Sequence, residues 1–159
     1  MLPQFFKILC VNNSGQTITF SSNGVLNLKL TWWYIAPATG KIEYSQATDD
    51  DMDFDAGRSI TDGTGLMDDS SLVATVEFDN TGNKYIGAQV QLEVTHDEGT
   101  AADGTFDLYL DGGDASGELA SDQTGFGDAD DNKLEHIGSL TWDPNGTDDQ
   151  VMSSPVFNI

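Results

Sequence analysis

The chain has 159 residues, of which 27 are acidic and 6 basic, giving a formal net charge of −21 with 38% apolar residues and one cysteine. At this length one domain is expected, and a lone cysteine, Cys10, excludes an intrachain disulfide. The six cations, Lys7, Lys29, Lys41, Arg58, Lys84 and Lys133, are scattered, which excludes the basic surface that nucleic acid or an anionic membrane requires.

The opening MLPQFFKILC is apolar but has neither a basic region before it nor a small-residue cleavage site after it. Residues 1–11 therefore read as a first strand or a docking arm rather than a signal peptide. No apolar run approaches the roughly 20 residues of a membrane-spanning helix. Strands are expected at about Phe5–Val11 and Thr17–Phe20. A long one follows from Val25 to Ile35, with Leu26, Leu28, Leu30, Trp32 and Tyr34 inward and Asn27, Lys29, Thr31, Trp33 and Ile35 on the other side.

Further along, Lys41–Gln46 reads as a strand. Period-two alternation then places Leu72, Ala74, Val76 and Phe78 on one face, Val90, Leu92 and Val94 on another, and Phe106, Leu108 and Leu110 on a third. Leu134–Trp142 and Pro155–Ile159 close the series. Between the strands lie turn signals such as Asn13-Ser14-Gly15, Thr39-Gly40 and Asn80-Thr81-Gly82-Asn83. Two longer Asp/Gly/Ser-rich connections, Thr48–Ser71 and Gly112–Lys133, read as surface loops, and no stretch shows a helical apolar stripe. The pattern predicts an all-β fold: an antiparallel β-sandwich of jelly-roll or Greek-key type, a single soluble domain over residues 1–159 with about eight or nine strands.

The acids comprise 21 Asp and 6 Glu, a bias toward the turn former over the helix former. Spread over a surface of this size, net charges sit about 19 Å apart, beyond the Debye length of about 8 Å at physiological salt. The fold tolerates its charge in salt and is expected to loosen in very dilute buffer.

Asp51, Asp53 and Asp55 alternate in DDDMDFDAG ahead of Gly57, and oxygen ligands at every second position can wrap Ca²⁺. The turn glycine of an EF-hand loop should fall at Ala56, position twelve is Asp62, and no helices flank the segment. A solvated acidic loop is the favoured reading, no cofactor is expected, and Ca²⁺ is the one metal to weigh. Asp128, Asp130, Asn132 and Glu135 form a weaker group. His96 and His136, the two histidines, stand near strand ends, and no G-x-S-x-G or H-E-x-x-H motif accompanies them. They read as structural, with no catalytic residue and no enzyme expected. Trp32 and Trp33 must leave a strand on opposite faces, so one fills the core and the other needs a separate cover: a loop, the other sheet's edge, or a protein or sugar partner.

From Phe106 to Ile159 the segments FDLYLDGGDASGELAS, TGFGDADDNKLEHIGSLTW and SSPVFNI follow one another. This order of strand, D-G turn, loop, short I-G strand and closing strand resembles the small β-sandwich decoration, or cement, proteins of tailed bacteriophage heads. The resemblance covers about a third of the chain, and its positions Asp111, Gly112, Ile137 and Gly138 are turn and strand positions, so it transfers no site residue. It implies a non-enzymatic virion component, made in host cytoplasm, that sits on the outer capsid and bridges neighbouring subunits. The implied partners are a major capsid protein and further copies of the chain. The expected contact residues are Phe5 and Phe6 of the arm and Trp33 and Ile35 of the long strand. The rival expectation is a calcium-assisted carbohydrate-binding or receptor-binding sandwich, with Trp33 as a stacking platform and Asp51, Asp53 and Asp55 as ligands.

Overall fold

A computed structural model of the chain describes residues 2–15, 17–19, 25–45, 48–50, 59–60, 72–75, 77–82, 84–96, 104–113, 134–142 and 150–159. Thirteen strands are formed among them: β1 (Phe5–Asn12), β2 (Ile18–Thr19), β3 (Val25–Ile35), β4 (Ile42–Tyr44), β5 (Thr48–Asp50), β6 (Ser59–Ile60), β7 (Leu72–Ala74), β8 (Phe78–Asp79), β9 (Gly87–His96), β10 (Gly104–Gly113), β11 (Glu135–Trp142), β12 (Gln150–Ser153) and β13 (Phe157–Asn158). They build two antiparallel sheets. One runs β11-β10-β1, with β7 and β8 sharing the far edge of β1. The other runs from β12 and β13 through β9 and β3 to β4 and β5. A short β2–β6 ribbon pairs with neither sheet and sets Ile18 and Ile60 into the core. The pairs β1–β10 and β3–β9 are nested, because the chain changes sheet between β1 and β3 and again between β9 and β10. That crossing makes the molecule a Greek-key β-sandwich.

The alternation in sequence becomes the core directly. In the β3–β9 register Leu26 faces Val94, Leu28 faces Leu92, Leu30 faces Val90 and Trp32 faces Ala88, and all eight are buried. The opposing sheet contributes Phe6, Ile8 and Cys10 from β1 and Phe106, Leu108 and Leu110 from β10. Each large apolar side chain so buried stabilises the fold by about 1.5–3 kcal/mol. At one end of the sandwich Trp32 meets Phe6 and Phe78 edge-on at 5.5 and 5.2 Å and stacks on Tyr85 at 5.5 Å. One side is closed by Phe157 of β13, whose ring lies where a Cβ on Gly138 of β11 would stand. Gly138 thus admits the contact that links the two sheets there.

Three differences from the sequence reading have physical causes. First, of the two readings of the N-terminal segment the first strand is the one formed, over Phe5–Asn12, and not the arm: β1 lies in the middle of its sheet, paired with β10 on one edge and with β7 and β8 on the other. Ahead of it the Leu2 N–H donates to the Ile86 carbonyl at 3.0 Å, and the Asn80 side chain donates to the carbonyls of Pro3 and Tyr85 at 3.3 and 3.0 Å. Phe6 is therefore core, 1% exposed, and has no surface to offer a partner, while Phe5 is half-buried. Second, Leu9 and Val11 on the opposite face of β1 are also fully buried, so this strand is covered on both sides, which its continuous apolar run left open. Third, the expected Leu72–Phe78 strand breaks into β7 and β8. Between them Thr75 accepts the Ile8 N–H through its hydroxyl at 3.1 Å and gives its own N–H to the Ile8 carbonyl. β5 and β6 form inside the stretch read as the Thr48–Ser71 loop.

Candidate functional site

Two places on the described surface hold side chains that the core does not use. The first is the outer face of β3 and β4. The pleat that buries Trp32 turns Trp33 and Ile35 outward, and the antiparallel register sets Tyr44 beside Trp33 and Ile42 beside Ile35. Ile35, Ile42 and Tyr44 are 50–59% exposed. Trp33 is half-buried because its indole lies across Gly87 of β9, filling the space a Cβ would take. Four large apolar side chains thus share one face, and the turn that joins their strands is closed by Gly40 at φ 65° with its N–H on the Ala36 carbonyl at 2.8 Å.

Sequence reasoning found Trp33 and Ile35 but missed Ile42 and Tyr44, which the β3–β4 pairing brings to them. A signal was present: residues 1–42 contain Lys7, Lys29 and Lys41 and no acid, so all 27 Asp and Glu lie beyond them. The apolar face stands at the end of that acid-free segment. Glu43 sits on the reverse side of β4, where it accepts a hydrogen bond from the Tyr34 hydroxyl at 3.1 Å; that bond and the nearby carboxylate push the Tyr34 phenol up.

The second place is a polar network on the outer face of β10 and β11. Ser139 donates to Asp107 Oδ1 at 2.5 Å, and Asn13 donates to Asp107 Oδ2. His136 Nε2 lies 3.4 Å from the Ser139 hydroxyl and 3.8 Å from Asp107 Oδ1, with its ring edge-on to Tyr109 at 5.2 Å. Serine, histidine and aspartate are together, yet in the wrong order for a proton relay. A relay needs the serine proton aimed at one imidazole nitrogen and the carboxylate at the other. Here the serine proton goes to the aspartate, and one ring nitrogen faces both. The network spans the register shift between Leu108 and Tyr109, where Leu108 faces Gly138 and Tyr109 faces His136, so its chemistry is that of a bulge fastening.

Of the other expected positions, Asp51, Asp53, Asp55, Asp128, Asp130 and Asn132 lie outside the described residues, and Glu135 is exposed on β11. His96 ends β9 opposite Gln150. Among the described residues no group of three or more His, Cys, Asp or Glu is placed to hold a metal ion. A hollow of about 300 Å³ is lined by Leu2, Gln4, Asn80, Thr81, Lys84 and Tyr85, but the Asn80 amide that faces it is spent on bonds within the chain.

Cys10 is 1% exposed, and burial, reinforced by the nearby Asp107 charge, pushes its thiol far above the ordinary range. A raised folded-state value means that the contribution to stability is complete below the ordinary thiol pKa and is lost as pH climbs above it. Iodoacetamide is expected to leave the native protein unmodified near neutral pH and to alkylate one site once urea unfolds it. Rapid alkylation of the native form would contradict the buried placement.

Compared with protein families, curated proteins and solved structures, the chain matches none.

Proposed function

We propose that this chain is a non-enzymatic structural protein that attaches to a larger assembly through the outer face of β3 and β4. The assembly implied by the resemblance of residues 106–159 is a tailed-phage head, which makes the chain a decoration protein bridging capsid subunits. The observation that carries the reading is the cluster of Trp33, Ile35, Ile42 and Tyr44, four large apolar side chains on one sheet face. Exposed apolar groups that gather rather than scatter mark contact surfaces. The charge pattern supports the same reading. An acidic surface keeps a protein soluble at high copy number, and the apolar face adjoins the segment free of acids. In this reading the capsid takes the apolar face, and the chain is made in the host cytoplasm and carried on the virion.

Ile35 and Ile42 are half exposed or more, so Ile35→Ser with Ile42→Ser should leave the fold intact. Anchors at an interface centre contribute on the order of 2 kcal/mol or more, so binding to heads assembled from the cognate major capsid protein should weaken about thirtyfold. Co-sedimentation measures this. Equal binding of parent and double variant would remove the face from the proposal.

A further inference from the structure

We infer that β4 is a homodimerisation edge, at which two copies of this chain join their larger sheets into one. The argument begins with hydrogen bonds. The Ala36 N–H donates to the Lys41 carbonyl and the Ser45 N–H to the Trp32 carbonyl, both at 2.8 Å. In an antiparallel ladder bonded positions alternate, so Lys41, Glu43 and Ser45 turn their backbone groups toward β3, while Ile42 and Tyr44 turn theirs away. Among the described residues no strand meets those outward groups. Proteins ordinarily blunt such an edge by charge, proline or a cover. Here the two residues that present it carry exposed apolar side chains.

The occupant follows from charge. A strongly basic partner would be drawn to the acidic bulk of the chain rather than to β4, whose Lys41 and Glu43 carry one charge of each sign. The β4 sequence instead complements itself. When two copies pair antiparallel about Ile42, that residue faces its own counterpart and exchanges both backbone bonds with it. Lys41 then faces the partner's Glu43, and Glu43 faces the partner's Lys41. The two ion pairs lie on one side of the joined sheet, and Ile42 and Tyr44 of both copies lie on the other. The contact uses the segment where the acid-free run ends. It uses the edge and leaves the outer face open, so it stands whether or not that face binds a capsid.

Purified protein, with no capsid present, tests this by sedimentation equilibrium at physiological salt across a concentration series. The parent is expected to reach twice its 17.1 kDa chain mass. Lys41→Glu alone and Glu43→Lys alone each set like charges opposite one another at two symmetric positions, which should weaken association roughly tenfold. The double variant Lys41→Glu with Glu43→Lys restores opposite charges and should restore the dimer. Circular dichroism of each variant confirms that the fold is retained. A parent that stays monomeric, single variants that associate as the parent does, or a double variant that fails to recover would overturn the inference.

Discussion

Deleting residues 1–6 should leave the chain unfolded at ambient temperature. The deletion takes Phe5 and Phe6 from the middle of the first sheet, and with them their pairing to Gly113 and Gly112 on one edge and to Asp79 and Phe78 on the other. It also removes the bonds from Leu2 to Ile86 and from Asn80 to Pro3 and Gln4 that seal this end of the sandwich. Phe6 alone is stacked on Phe78 at 5.1 Å and edge-on to Trp32. Phe6→Ala should therefore cost about 3–5 kcal/mol, a large part of the roughly 5–15 kcal/mol that holds a domain together. Urea denaturation followed by far-ultraviolet circular dichroism measures both changes. A truncated chain that melts like the parent would show that the segment is dispensable, as an arm would be.

Trp32→Ala and Trp33→Ala should differ several-fold in cost although the residues are neighbours. Trp32 is 7% exposed and touches the rings of Phe6, Phe78 and Tyr85, so its removal leaves a cavity in the aromatic end of the core and should cost about 3–5 kcal/mol. Trp33 covers the backbone at Gly87 from outside and is half-buried; its loss should cost about 1 kcal/mol, nearer the middle of the range for single substitutions. Paired denaturation curves decide the matter. Equal costs would mean that the outer face is as tightly covered as the core, and would weaken its assignment as a contact surface.

Alternation was enough to give β3 its limits, since the run Val25–Ile35 is the strand itself, and enough to pick the inward residues of β9 and β10. It was blind to β5, β6 and β12 because short, polar strands carry no apolar period of their own. Thr48–Asp50 is a strand because β3 offers it a ladder, and Gln150–Ser153 because β9 does. The second burial of β1 was equally hidden. Leu9 and Val11 alternate with Ile8 and Cys10, all four apolar, and a continuous apolar run does not say whether both of its faces are covered.

The candidate site divides in the same way. That Trp33 and Ile35 face away from Trp32 follows from the pleat, a local property of any extended chain. Their company was decided in three dimensions: Ile42 and Tyr44 reach them only through the β3–β4 register, and Asp107 and Ser139, 32 residues apart in sequence, meet through β10 and β11. The sequence by itself determined an all-β chain with a strongly acidic surface, because period-two patterning and charge count are local and additive. Tertiary structure alone decided that the apolar first residues are core rather than surface. The choice depends on which strands lie on either side of β1, and β10 is some hundred residues away along the chain.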